Sequence, residues 1–230
     1  MYYGIDGYYI LLVLPAIIFS MIAQSKVNSA FDKYSKVFSR RGITGADAAM
    51  AVLRLNGVSG VRVERVSGRL SDHYDPRTNV IRLSDSVYGA TTVAAIGVAA
   101  HEAGHAVQYA YGYFPIRLRA AIIPVTQIGS NLAMPLIMIG LVLNTSLLIK
   151  AGLVFFFTSV VFQLITLPVE FNASNRAIDA IAEAGLLYED ELHGAQKTLS
   201  AAALTYVAAL MVALAQFLRL LMIFGRRRDD

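Results

Sequence analysis

The sequence predicts an α-helical membrane protein of about four transmembrane helices that carries a small α+β domain on one face. Three observations carry this reading. The 230 residues are 56% hydrophobic and only 16% charged, too apolar and too lightly charged for an ordinary soluble domain. The apolar residues gather into runs of spanning length. Between the first and second runs lies a polar, basic segment whose patterning alternates between helix and strand.

The first run, Tyr8 to Ala23, is short but reaches spanning length with Gln24 and Ser25. It lacks a basic leading region and a small-residue cleavage pattern, so it reads as an uncleaved anchor and not as a secretory signal. Tyr2, Tyr3, Tyr8 and Tyr9 suit the aromatic belt of one interface. Ser25 to Arg41 is a basic juxtamembrane helix or linker. Thr44 caps a helix, with Asp47 at its positive end, that stops at Asn56-Gly57. Val61 to Val66 alternates apolar and charged, as a half-buried strand does. Ser67-Gly68 and Asp75-Pro76 punctuate a loop, and Asn79 to Ser84 forms a second strand. An apolar helix follows, from about Thr91 to Tyr109.

Ile122 to Leu143 is the second run, and a short connection at Asn144-Thr145-Ser146 makes it a hairpin with the third, about Leu147 to Val169. The fourth, Ala201 to Phe224, carries Arg219 near one end, where a long cationic side chain snorkels to the interface. The expected organisation is therefore an anchor over 1–25, a small domain over 26–119, a transmembrane hairpin over 120–169, a polar segment over 170–199, and a last span with a basic tail over 200–230.

Thirteen of the twenty Lys and Arg lie between Lys26 and Arg119. The positive-inside rule places that segment in the cytoplasm and the N-terminus outside a cell membrane crossed several times. The basic residues are scattered without a recognition element, which excludes nucleic acid as the expected partner and leaves anionic lipid head groups. Four crossings would leave Arg226-Arg227-Arg228 outside, against the same rule. Either the larger cluster dominates, or the fourth run does not simply cross. The absence of cysteine fits a reducing compartment and excludes thiolate metal ligands.

His101-Glu102-Ala103-Gly104-His105 contains two of the four histidines. Residues four apart share a helix face, so both imidazoles can reach one ion. Glu102, beside the first ligand, suits a general base: a Lewis acid lowers the pKa of its water to about 7, and the carboxylate takes the proton. A chance match on an idle helix surface is the bland alternative. The apolar run Thr91 to Ala100 buries the motif, however, and burying Glu102 without a partner would cost several kcal/mol.

A catalytic zinc ion commonly keeps three protein ligands. Of six glutamates, Glu170 directly follows the third apolar run. A hairpin is an even number of crossings, so Glu170 returns to the face that holds His101 and His105. Pairing with Arg176 is its structural alternative. An intramembrane site with an aspartate ligand is disfavoured, because no later span contains an Asp.

Further stretches complete a pattern: Asp72-His73-Tyr74-Asp75-Pro76, Leu83-Ser84 with Val87-Tyr88, Ala99-Ala100-His101-Glu102 through Gln108, Pro168-Val169-Glu170-Phe171, and Ala201 through Ala209. In combination they resemble the HtpX-type membrane gluzincins and, more closely, the bacterial YugP-like neutral zinc metallopeptidases. The resemblance implies a membrane-bound zinc peptidase with a zincin-like cytoplasmic domain, zinc on His101, His105 and Glu170, and a peptide or membrane-protein substrate. Asn172 stands where that family usually has Asp, and Ser174 where the HtpX type has Asp. Either is expected to orient a ligand histidine as a neutral partner.

Two residue-level expectations complete the reading. The strand Asn79 to Ser84 is the candidate edge along which a substrate backbone adds. His73 is the leading candidate donor to the reaction's oxyanion, ahead of His193 and Arg176, with a loop-ordering hydrogen bond to Asp72 or Asp75 as its alternative. A zinc-binding scaffold without turnover is the rival of a different class. Retention of Glu102 argues against it, since a structural metal needs no base. A transporter is disfavoured by the scarcity of ionisable groups in the spans.

Overall fold

The computed structural model describes residues 6–68 and 71–224. Tyr2, Tyr3, loop residues Arg69 and Leu70, and Arg226-Arg227-Arg228 lie outside the described residues. After a five-residue π-helical turn, Tyr9–Val13, the elements are α1 (Leu14–Tyr34), α2 (Gly45–Leu55), β1 (Arg62–Val66), β2 (His73–Asp75), β3 (Val80–Ser84), α3 (Val93–Ala110), α4 (Phe114–Val142), α5 (Ser146–Glu183) and α6 (Glu189–Phe224). Four helical stretches are long and apolar enough to cross a membrane: Tyr9–Tyr34, α4, α5 and α6. The fold is thus mostly helical, with a small mixed sheet.

The helices outrun the apolar runs that announce them. α5 continues through Pro168 to Glu183, and α6 begins at Glu189, twelve residues before the apolar run at Ala201. The segment expected as a polar connection is therefore helical apart from residues 184–188, and His193 lies within α6.

The chain divides into two compact units. One holds the described residues up to Ala23, Arg117–Pro168 and those from Thr205; the other holds Gln24–Ile116 and Val169–Leu204. Within the first, α4 and α5 pack closely: a Cβ on Gly152 would lie 2.7 Å from the Ala133 carbonyl oxygen. Small residues permit such backbone approach between membrane helices. Arg219 does not snorkel away alone. Its Nη2 and Nε donate to Asp6 Oδ2 at 2.7 and 2.9 Å, and its guanidinium stands 5.2 Å from the Tyr9 ring centroid. An ion pair in a low-dielectric setting ties the start of the first helix to the end of α6.

The second unit is built around α3, which is buried along nearly its whole length. α2 starts at a capping box: Thr44 Oγ1 accepts from the Asp47 backbone N–H, and Asp47 Oδ2 accepts from that of Thr44. It ends at Asn56-Gly57, where Gly57 takes φ +61°. Val52, Leu53, Ile81, Leu83 and Ile96 form one core with the alanines of α3 and of the last turns of α5.

The sheet order is β1-β3-β2, with β1 parallel and β2 antiparallel to β3. This corrects the expected substrate edge. β3, the strand over Val80–Ser84, is central and hydrogen-bonded on both sides, so it has no free edge to offer. The strand beside it is β2, which the sequence reading took for loop. Asp72 anchors the start of β2, its carboxylate accepting from the backbone N–H and hydroxyl of Ser84 at 2.7 and 3.0 Å. Burial pushes the Asp72 carboxyl above the usual range.

Candidate metal centre

α3 presents His101 and His105 one turn apart on one face, with ring centroids 4.7 Å from each other. α5 brings Glu170 against them. Its Oε2 lies 3.3 Å from His101 Nε2 and 3.6 Å from His105 Nε2. One ligand atom from each residue falls within 4.8 Å of the others, a cluster that could hold a metal ion.

Small residues let the two helices meet there. An added Cβ on Gly104, inside the motif, would sit 2.7 Å from the Ala173 carbonyl oxygen. Ala100 and Ala103 on α3 and Ala173 and Ala177 on α5 are fully buried alongside it. Any side chain at 104 would push α5 outward and take Glu170 with it. A glycine inside a helix costs about 1 kcal/mol against alanine, so its presence between His101 and His105 marks a required close approach.

The hydrogen bonds behind the rings fix what the rings present. Gln108, fully buried, donates through Nε2 to the Val169 carbonyl at 2.8 Å and to Asn172 Oδ1 at 3.0 Å. A carbonyl can only accept, so the amide nitrogen must face α5 and Oε1 must face His105. His105 Nδ1, 3.0 Å from that oxygen, therefore carries the proton. Its Nε2 is left with the lone pair, directed at Glu170. Asn172 is oriented in turn by Arg176, whose Nε donates to Oδ1 at 2.8 Å. His101 Nδ1 lies 3.1 Å from Ser174 Oγ. Two nitrogen donors, each backed by a neutral partner, and a carboxylate suit zinc.

Glu102 is buried one residue from His101. Burial pushes its carboxyl above the usual range, and the charges of Glu170 and Asp72 push the same way. His101 and a hydrogen bond from the Tyr74 backbone N–H oppose them. A carboxylate raised in this way is a stronger proton acceptor than an exposed one.

The structure does not bring His73 to this cluster. It is exposed on β2, with Nδ1 2.8 Å from the Ser71 carbonyl oxygen. Tyr74 is the β2 residue that faces α3, its ring centroid 5.7 Å from that of Tyr109. Strand alternation then turns His73 to the opposite face. His193 is exposed on α6. Of the three expected donors only Arg176 joins the network, through Asn172. Asn172 and Ser174 act as neutral partners, Asn172 by way of Gln108.

Gln108 and Gly104 join the site in the structure without being singled out individually by the sequence. The sequence carries a signal for Gln108: an amide three residues after the motif's second histidine, on a helix that is apolar outside the motif. Gln108→Leu is expected to weaken zinc binding roughly 10–100-fold, the usual cost of losing a partner that orients a ligand. Gln108→Glu keeps an acceptor for His105 and should fall between the two. Competition against a chromophoric chelator measures both, and an undiminished affinity in the Leu variant would exclude the orienting role.

Residues 9–225 match a family model described as "Putative neutral zinc metallopeptidase". The chain is 48% identical over 222 residues to the "Putative membrane protease YugP" of Bacillus subtilis (strain 168), covering 96% of this chain and 99% of that one. No solved structure matches it.

Proposed function

The chain belongs to this neutral zinc metallopeptidase family, and we propose that it is a membrane-bound zinc endopeptidase of the HExxH-plus-glutamate type, its small α+β unit acting as a zincin-like domain in the cytoplasm. The observation that carries the reading is the meeting of His101, His105 and Glu170 beside a buried Glu102. A bound zinc ion would supply Lewis acidity toward a carbonyl and toward water. Glu102 accepts the proton of the attacking water and delivers it to the leaving amine. Gln108 and Ser174 hold the two rings in place. With β3 buried in the middle of the sheet, β2 becomes the edge along which a substrate backbone adds; it lies against α3, and its Tyr74 N–H already points at Glu102.

Purified protein in detergent should hydrolyse an unstructured protein such as casein. A chelator should remove the activity, and stoichiometric zinc should restore it. Zinc binding with no turnover of any peptide tested would leave a metal-binding scaffold as the reading.

The orientation follows from the charge bias and four crossings. The Asp6–Arg219 pair joins the start of the first helix to the end of α6, two ends that an even number of crossings would leave at one face. Cysteines placed at Ser71 and Gln196 should be shielded from an impermeant thiol reagent in intact cells, and one at Thr145 should be labelled. Labelling at position 71 from outside would invert the orientation and put the site in an extracytoplasmic compartment.

A further inference from the structure

A cavity of about 1190 Å³ opens in the second unit between α1, α5 and α6. One wall includes Ser174, whose hydroxyl holds His101, and Phe171, the neighbour of Glu170. The cavity therefore shares a wall with the metal centre without being part of it.

Its charge is one-sided. Lys26 and Lys33 on α1 and Lys197 on α6 face Asp179 as the single acid. Among the described residues none of these lysines forms an ion pair. They are also spread out. Lys26 and Lys33 are seven residues apart on one helix, about 10.5 Å along its axis, and Lys197 stands on a different helix. A single phosphate calls for cations converging on one point, whereas carboxylates strung along a chain call for spaced ones. The lining also includes amide and hydroxyl groups, Asn175, Gln196 and Ser200, and apolar Ile178 and Leu204. That mixture fits a polypeptide backbone with alternating side chains better than it fits an acyl chain.

We propose that this cavity is a recruitment site for the part of the substrate flanking the scissile bond, and that it selects extended segments combining acidic with apolar residues. The proposal rests on the peptidase reading for the word substrate, but the binding it describes is measurable without turnover. Complementary charge of this kind chiefly sets which segment is captured and how fast, and it is screened by salt.

The test uses the full-length Glu102→Gln protein, loaded with zinc, in nanodiscs of zwitterionic phospholipid. Fluorescence anisotropy follows a labelled unstructured peptide with Asp and Glu interspersed among Leu and Val, and its analogue with Lys in place of each acid. The acidic peptide should bind at least tenfold more tightly, and the preference should shrink to within twofold in the combined K26Q/K33Q/K197Q variant. Equal binding of the two peptides, or a preference that survives in the triple variant, would overturn the proposal. So would loss of acidic-peptide binding in nanodiscs doped with an anionic phospholipid, because the cavity would then belong to lipid head groups. Wild-type turnover of a neutral peptide, measured in parallel, tests the peptidase reading separately: its failure leaves the binding result standing.

Discussion

Glu102→Gln should retain one zinc per chain and lose peptide hydrolysis by roughly 10²–10⁴-fold, the range in which a positioned general base contributes. The substitution is nearly isosteric. The amide oxygen can still accept from the Tyr74 backbone N–H that faces the carboxylate, so β2 has no reason to move. What is lost is the ability to take a proton. Folding should not suffer either. Burial holds the Glu102 carboxyl above its ordinary value, and a group raised in the folded state contributes stability at low pH that is lost as pH rises through the folded-state value. In the metal-free protein the variant escapes that loss, so its thermal midpoint at neutral pH should equal or exceed that of metal-free wild type. Full metal content, an intact midpoint and abolished casein turnover are therefore expected together. Equal hydrolysis by the two proteins would trace the activity to a contaminant and leave the scaffold reading in its place.

His101, Glu102, His105 and Glu170 stand out in the sequence because each belongs to a local signal, and the structure brings the two histidines and Glu170 together. His101 and His105 are related by helical spacing alone, and Glu170 by its position after an apolar run. The same holds for the caps of α2, whose Thr44 and Asn56-Gly57 act within one turn. Tertiary relations left weaker marks. β2 is three residues long and rich in polar groups, so period-two alternation has nothing to register. Which strand lies in the middle of a sheet depends on pairing between segments, and β1-β3-β2 is not the order in which the strands occur along the chain. The apparent edge was therefore misplaced by one strand. His73 went with it, because the face a strand residue occupies depends on register.

Hydropathy locates the four helices long and apolar enough to cross a membrane, but not their ends. An apolar run stops where polar residues begin, yet α5 and α6 continue as helices, since residues such as Ala177, Ala180 and Leu199 still bury one face in the core built around α3. Arg219 stands near one end of the fourth apolar run, where snorkelling alone accounts for it in the sequence. Its partner, Asp6, is 213 residues away along the chain, and no local pattern announces such a pair.

Glu170→Ala should weaken zinc binding by well over 100-fold, beyond the roughly 10–100-fold attached to partners that only orient a ligand. Glu170 is 3% exposed and lies within 3.6 Å of both imidazoles. Glu183 and Glu189, by contrast, are exposed residues with no place in the cluster. Glu183→Ala and Glu189→Ala should bind zinc as wild type does. Thermal stability offers a reading independent of activity, because a ligand bound only by the folded protein adds RT ln(1 + [L]/Kd). At free zinc one hundred times the wild-type Kd, wild type gains about 2.7 kcal/mol. A variant whose Kd has risen a hundredfold gains only about 0.4 kcal/mol by the same relation. The zinc-induced rise in the unfolding midpoint should therefore nearly vanish in Glu170→Ala and persist in both controls. Glu170→Gln, which keeps the side chain's volume and one oxygen donor but not its charge, separates loss of packing from loss of coordination and should recover part of the shift. A full zinc-induced shift in Glu170→Ala would remove Glu170 from the ligand set and require a third ligand from elsewhere in the chain.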